Sequence, residues 1–293
     1  MIFATVGSLL AQELRAQADR FNADLLPALR RAATLIPGEV ATSVNFVLLN
    51  PFTVTWAYLL EGGNTDTVAG GYPVFQIRFP RGWITVDAAL DRSFVPASKT
   101  FDDSTYRVIH EALRGARLAV VTHEHHDHVA GVLSSPALAE VQAHTVLTKA
   151  QIQSLMLRPN NPRIKIDSAV ASRYLVTDYD PIMPIGPGVV LIKAPGHTAG
   201  SQIVYVRLAS GSEIIIAGDV AWNMRGIDSL VQKPAASTRG FGGEDKDAIA
   251  RELRWLRDVA GPQTHVVVSH DVARLNALVA QGKLRIGFDL SRP

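Results

Sequence analysis

From Thr42 onward the chain is built of short apolar runs separated by Gly and Pro. Val44 to Leu49, Thr53 to Leu60, Val74 to Phe79 and Trp83 to Val86 are rich in β-branched and aromatic residues, which predicts an antiparallel meander of short strands. Beyond them the period alternates. A helix is predicted near Ser104 to Gly115, strands at Leu118 to Thr122, Val189 to Ile192, Ile203 to Val206 and Glu213 to Ala217, a helix over Lys246 to Ala260 and a strand at His265 to Ser269. In the late helix Ile249, Leu253, Leu256 and Ala260 keep one apolar face. Strands first and mixed units afterwards predict an α/β (α+β) domain of two packed sheets with helices outside. Trp222 to Glu244 is the one long stretch poor in regular signals; rich in Gly, Ser and Pro, it reads as a substrate lid.

The first 38 residues follow another pattern. Leu10, Leu14, Ala18, Phe21 and Leu25 recur at helical spacing, Pro27 permits a further turn through Leu35, and Pro37-Gly38 ends it. Residues 1–38 are therefore read as a helical arm and residues 39–293 as a single domain. The arm is expected to dock on the outside of that domain, with a homodimer or membrane contact as the less favoured readings. Its first eleven residues are mostly apolar, but no Lys or Arg precedes them and Gln12-Glu13 ends the run well short of the roughly 20 residues of a membrane span. The tail of a trimmed export segment is the minority reading, so bacterial cytoplasm and periplasm both stay open.

Composition narrows the chemistry. With 47% hydrophobic and 19% charged residues, the chain is that of a packed globular protein. Its 29 Lys and Arg against 27 Asp and Glu leave a net charge of +2, too even for a nucleic-acid partner whose affinity comes from phosphates; a small-molecule substrate is expected. There is no cysteine, which excludes disulfides, thiolate metal sites and a cysteine nucleophile together. Any metal must sit on His, Asp or Glu.

Such residues are concentrated directly after the strand Leu118 to Thr122, in His123-Glu124-His125-His126-Asp127-His128-Val129-Ala130-Gly131. In an extended segment alternate residues face the same way, so His123 and His125 can converge on one ion while Asp127 and His128 address a neighbouring point. Three further candidates stand at later strand ends: His197 in Pro195-Gly196-His197, Asp219 in Gly218-Asp219, and His270 after Val266 to Ser269. Ser269-His270-Asp271 is not a catalytic triad, because consecutive residues cannot present three side chains in relay, and no Gly-x-Ser-x-Gly elbow occurs. His110, His144 and His265 match no motif position. His126 is expected to face away from the ligands, and Glu124 to be a loop residue or a support for a ligand.

Together these residues resemble the metallo-β-lactamase-fold hydrolases, whose His-x-His-x-Asp-His motif is followed by a separate His, an Asp and a final His in that order. The resemblance runs from about Tyr72 to about Asp271 and implies an αββα sandwich with the metals at one edge. It implies that His123, His125 and His197 hold one ion, that Asp127, His128 and His270 hold the other, and that Asp219 bridges them. Two such ions, about 3.5–4 Å apart, lower the pKa of a shared water towards about 7. With imidazole and carboxylate donors alone, zinc is the first choice, and iron, manganese or cobalt stay open. Asp127 is expected to pass a proton to the leaving oxygen. Asp87, closing the strand Trp83 to Val86, is expected to orient a ligand histidine from behind, with a turn-forming Asp as the equal alternative.

Among the branches of that superfamily, the bridging Asp argues against true β-lactamases, and the 23 residues after His270 leave no room for the helical domain of glyoxalase II. The tRNA-processing branch expects a basic exosite. The N-acyl homoserine lactone lactonases match in size, in the bridging Asp and in a closing His270-Asp271 pair, but where they carry Tyr three residues after that Asp this chain has Trp222. Trp222 can donate an indole N–H or line an apolar pocket and cannot act as a phenol. The expectation is a binuclear hydrolase of a small ester or lactone. Phosphoester or thioester hydrolysis and mono-iron persulfide oxidation are the alternatives, and a metal-binding protein without turnover is disfavoured.

Overall fold

A computed structural model describes residues 20–291; the apolar run Met1 to Ala11 and the arm positions Leu10, Leu14 and Ala18 lie outside the described residues. The strands along the chain are β1 (Ser43–Thr55), β2 (Thr67–Arg78), β3 (Trp83–Val86), β4 (Leu118–Val120), β5 (Thr145–Thr148), β6 (Leu175–Thr177), β7 (Ile182–Gly186), β8 (Val189–Lys193), β9 (Gln202–Arg207), β10 (Glu213–Ile216), β11 (Thr264–Val267) and β12 (Arg285–Ile286). They form a seven-stranded sheet in the order β12-β1-β2-β3-β4-β5-β6 and a five-stranded sheet in the order β11-β10-β9-β8-β7. The helices of eight or more residues are α1 (Leu25–Ala32), α2 (Asp103–Gly115), α3 (His126–Leu133), α4 (Lys149–Leu157), α5 (Lys246–Val259) and α6 (Val272–Ala280).

The layering follows from strands buried on both faces, which read as continuous apolar runs. In β8, β9 and β10, Val189, Leu191, Val204, Val206, Ile214 and Ile216 enter the core between the sheets with Phe46, Phe75, Ile77, Val120 and Val267. Their alternating neighbours Val190, Ile192, Ile203, Tyr205 and Ile215 face a helical layer made by Leu25 and Leu29 of α1 and Ile249, Leu253 and Leu256 of α5. Ile109 and Leu113 of α2, Val129 and Val132 of α3 and Leu155 of α4 cover the outer face of the larger sheet. The result is the expected α-β-β-α order. The apolar face of α1 is thus spent within the chain, and Arg30 on its other side pairs with both oxygens of Glu213 at 2.7 and 2.9 Å.

Two expectations are corrected. The runs Val44 to Leu49 and Thr53 to Leu60 are one strand, β1, with a register shift between Leu49 and Phe52, and it ends at Thr55. Trp56–Leu59 is a helical turn because the amides of Trp56 and Ala57 are taken by the carbonyls of Asp66 and Asn64, at 3.0 and 2.7 Å, as the chain reverses into β2. A four-residue apolar run does not by itself distinguish turn from strand. The stretch Trp222 to Glu244 is also less irregular than expected. It holds short helices at Met224–Ser229 and Ala235–Thr238 and a 3₁₀ turn at Arg239–Phe241, the first capped by Asn223, whose side chain accepts from the Arg225 amide.

Candidate metal centre

The seven candidate ligands come from four connections at one edge of both sheets. β4 delivers His123 and His125, and α3 begins at His126, so Asp127 and His128 sit in its first turn. Helix α3 approaches the chain after β3 so closely that a Cβ on Gly131 would lie 2.1 Å from the Ala88 carbonyl oxygen. From the other sheet, His197 follows β8, Asp219 follows β10 and His270 follows β11. Gly218 takes φ +57° and packs its Cα against Thr122, where a Cβ would come within 2.9 Å, and this brings the Asp219 carboxylate into the cluster.

Asp219 lies between two groups of donors. Its Oδ2 is 3.6 Å from His197 Nε2 and 3.8 Å from His123 Nε2, and its Oδ1 is 3.4 Å from both His128 Nε2 and His270 Nε2. Asp127 Oδ2 stands 3.7 Å from His128 Nε2 and 3.6 Å from His270 Nε2. His125 Nδ1 faces His197 Nε2 at 3.1 Å. Three sets have donor atoms all within 4.8 Å of one another: His123, His125 and His197; His123, His128 and Asp219; and Asp127, His128 and His270. The cluster fits cation binding on its own chemistry. His123 Nε2, His128 Nε2 and Asp219 Oδ1 are buried without a hydrogen-bond partner, an arrangement that costs about 1–3 kcal/mol per atom unless something satisfies it.

Three of the histidines are held from behind through Nδ1, which turns Nε2 inward. His128 Nδ1 donates to Asp87 Oδ2 at 2.9 Å, His270 Nδ1 to the Gly71 carbonyl at 2.8 Å, and His197 Nδ1 to Glu244 Oε1 at 2.6 Å. Asp87 adopts φ +64° and also accepts from the Thr122 amide at 2.6 Å and the Thr122 hydroxyl at 3.0 Å. That hydroxyl in turn lies 3.2 Å from His123 Nδ1. Asp87 therefore reaches a candidate ligand histidine directly.

Charge is divided across the cluster. Burial, reinforced by neighbouring imidazoles, holds His123 well below the usual histidine range and His125 down to about 3; burial and Lys233 lower His197. Burial also disfavours charge on His128 and His270, but the carboxylates, Asp219 foremost, outweigh it and raise both. Asp219 and Asp127, despite burial, are held low by His270 and His128. The carboxylates stay ionised, as metal ligands must.

A cavity of about 410 Å³ opens on this cluster, lined by Phe52, Tyr58, Tyr72, Trp222 and Phe241 above His125, Asp127, Asp219 and His270. Trp222 lines this cavity. Its indole N–H donates to Asp219 Oδ2 at 2.7 Å, and its ring stacks on Tyr58 with centroids 5.3 Å apart. His126, expected to face away, also lines this cavity, resting on Phe94 and bonded to Asn160 at 3.0 Å. It joins none of the three donor sets. Glu124 is buried and accepts from the Thr198 hydroxyl at 2.8 Å. His110 bonds Ser135, His144 bonds the Leu113 carbonyl, and His265 is buried away from the cluster. Tyr58 and Tyr72 carry no signal in the sequence: the first sits in a helical turn whose apolar run reads as strand, and the second precedes the predicted start of its strand.

No protein-family model matches the sequence, and no curated protein matches it. Solved structures do. A quorum-quenching N-acyl homoserine lactone lactonase superposes with a TM-score of 0.63 at 13% identity, covering 81% of this chain and 95% of that one. A dizinc quorum-quenching lactonase, in complex with a product, gives 0.59 at 12% identity, covering 80% and 90%. A hydrolase of the β-lactamase superfamily gives 0.55 at 12% identity, covering 81% and 92%. The chain has the metallo-β-lactamase fold.

Proposed function

We propose that this chain is a binuclear metal-dependent hydrolase acting on a small ester or lactone. The observation that carries the reading is Asp219, whose two oxygens face two separate histidine groups at the floor of an aromatic cavity. His123, His125 and His197 would hold one ion, Asp127, His128 and His270 the other, with Asp219 shared. A pair of divalent ions, zinc by this donor set, supplies a water acidified to a pKa of about 7 and a Lewis acid for the scissile carbonyl.

The chain's own groups do the rest. Asp127, which lines the cavity beside Asp219, is placed to take the proton released by the attacking water and pass it to the leaving alkoxide. Burial raises both Tyr58 and Tyr72, and Asp127 and Asp219 add to it, so each phenol keeps its proton at neutral pH and is available to donate a hydrogen bond to a substrate oxygen. Trp222 has its N–H committed to Asp219 and offers the substrate its ring. The walls are apolar, which suits an acyl group better than a phosphate.

The test is metal quantification on the purified full chain with a panel of lactones, aryl esters, thioesters and phosphotriesters. Two ions per chain and turnover of lactones or esters are expected, with Asp219→Ala losing binuclear occupancy and activity together. A single iron with persulfide oxidation, or phosphotriesters as the preferred substrates, would replace this reading; retained turnover in Asp219→Ala would refute the bridge.

A further inference from the structure

Behind the candidate centre lies a buried ion pair that no step of the proposed hydrolysis uses. The Lys233 side chain is 2% exposed and that of Glu244 is 0% exposed, and Lys233 Nζ stands 2.6 Å from Glu244 Oε1. The same oxygen accepts from His197 Nδ1 at 2.6 Å. Lys233 Nζ also donates to the backbone carbonyl of Asp219 and to that of Val220 at 3.3 Å, and lies 5.1 Å from the Trp222 ring centroid. Lys246 closes the arrangement, reaching Glu244 Oε2 at 3.2 Å and the Lys233 carbonyl at 2.7 Å.

We infer that Lys233 and Glu244 are positioning residues for the metal centre: one buried ion pair sets His197 through its ring and Asp219 through its backbone. This rests on the metallohydrolase reading above. A buried ion pair gains little stability by itself once desolvation is counted, so its retention beside the cluster calls for another role. Glu244 keeps the proton of His197 on Nδ1, which leaves Nε2 bare and facing His125 Nδ1 and Asp219 Oδ2. Lys233 fixes the peptide from which the shared carboxylate projects. These two ligands leave different strands, β8 and β10, and the pair ties both to the segment that also carries Trp222 and Phe241.

The experiment is Zn²⁺ competition against a chromogenic chelator on the full chain, with the thermal unfolding midpoint of the zinc-free protein measured in parallel. Glu244→Gln keeps shape but cannot accept from both cations and the ring as the carboxylate does. Glu244→Asp keeps the charge and withdraws it from His197 by one methylene. Each is expected to weaken at least one of the two zinc equivalents roughly 10–100-fold, the loss typical when a carboxylate behind a metal-bound histidine is removed; Glu244→Asp keeps the zinc-free midpoint near that of the parent, whereas Glu244→Gln also lowers it because Lys233 is left buried without its counter-charge. Lys233→Met is expected to weaken zinc binding as well. If the Glu244 variants bind both equivalents as tightly as the parent, or only lower the zinc-free midpoint, the positioning role is overturned and the hydrolase reading stands. If Glu244→Gln fails to fold, Glu244→Asp decides by the same criterion. A parent chain that binds no zinc overturns both.

Discussion

Glu252 offers a quantitative test of how the helical layer supports the site. It lies on α5, is 1% exposed, and uses Oε1 to accept from the Gly196 amide at 3.1 Å, beside His197. Its Oε2 is buried with no hydrogen-bond partner. Burial pushes its carboxyl up from 4.5 to about 7, with Lys233 and the Gly196 amide opposing only in part. In the unfolded chain it returns to its ordinary value, so between those two pH values the folded state holds a proton that the unfolded state has lost. The stabilisation is fully present below about pH 4.5 and is lost as pH rises through about 7. A gap of about 2.5 units at 1.36 kcal/mol each amounts to about 3 kcal/mol. The Glu252→Gln variant keeps an oxygen for the Gly196 amide and has nothing to ionise. Urea unfolding of both zinc-free proteins at pH 5 and pH 8 isolates the effect, because the histidines and carboxylates of the cluster titrate alike in each. Relative to the parent, the variant is expected to gain about 2–3 kcal/mol on going from pH 5 to pH 8. The same difference at both pH values would refute a neutral buried Glu252.

Three further outcomes follow from particular contacts. Trp222→Phe removes the N–H that reaches Asp219 Oδ2 at 2.7 Å but keeps a ring against Tyr58. Losing a hydrogen bond to a charged group is worth about 1.5–3 kcal/mol, so kcat/KM for an ester or lactone substrate is expected to fall roughly 10–100-fold; unchanged kinetics would show that the bond does not position the carboxylate. Gly131→Ala drives a Cβ to 2.1 Å from the Ala88 carbonyl oxygen and is expected to cost about 1–3 kcal/mol or more in urea unfolding. Leu29→Ala empties a fully buried site between α1 and the smaller sheet and is expected to cost about 2–5 kcal/mol; a loss below 1 kcal/mol would mean that α1 is a loosely attached arm.

Much of the centre was legible because its ligands follow strands that announce themselves. His123 to His128 lie directly after an apolar run, and His197, Asp219 and His270 each follow another, so strand ends located by pattern also located the donors. The two-sheet order was legible for the same reason: Val189 to Ile192 and Ile203 to Val206 are too short for helices and too apolar for loops. The supports behind the site were not. Glu244 is 47 residues from the histidine it holds and lies in a stretch with no period, while Lys233 looks like any surface lysine until the fold encloses it. Tyr58 and Tyr72 are aimed by the pairing of β1 with β2 and by the turn that follows β1, which are tertiary facts. The short helices within Trp222 to Glu244 are fixed by caps and contacts and leave no amphipathic signature of their own.

The division of ligands between the sheets has a mechanical meaning. His123, His125, Asp127 and His128 hang from the larger sheet, and His197, Asp219 and His270 from the smaller. Any cation held among them cross-links two layers that otherwise meet along an apolar interface, in a chain with no cysteine to staple them. Prying the sandwich apart at that edge would then require releasing that cation. The binding energy of such cations would add to the folding energy of the whole domain, about 4 kcal/mol when free metal stands a thousandfold above its dissociation constant, and a chelator would become a denaturant acting at the sandwich's open seam.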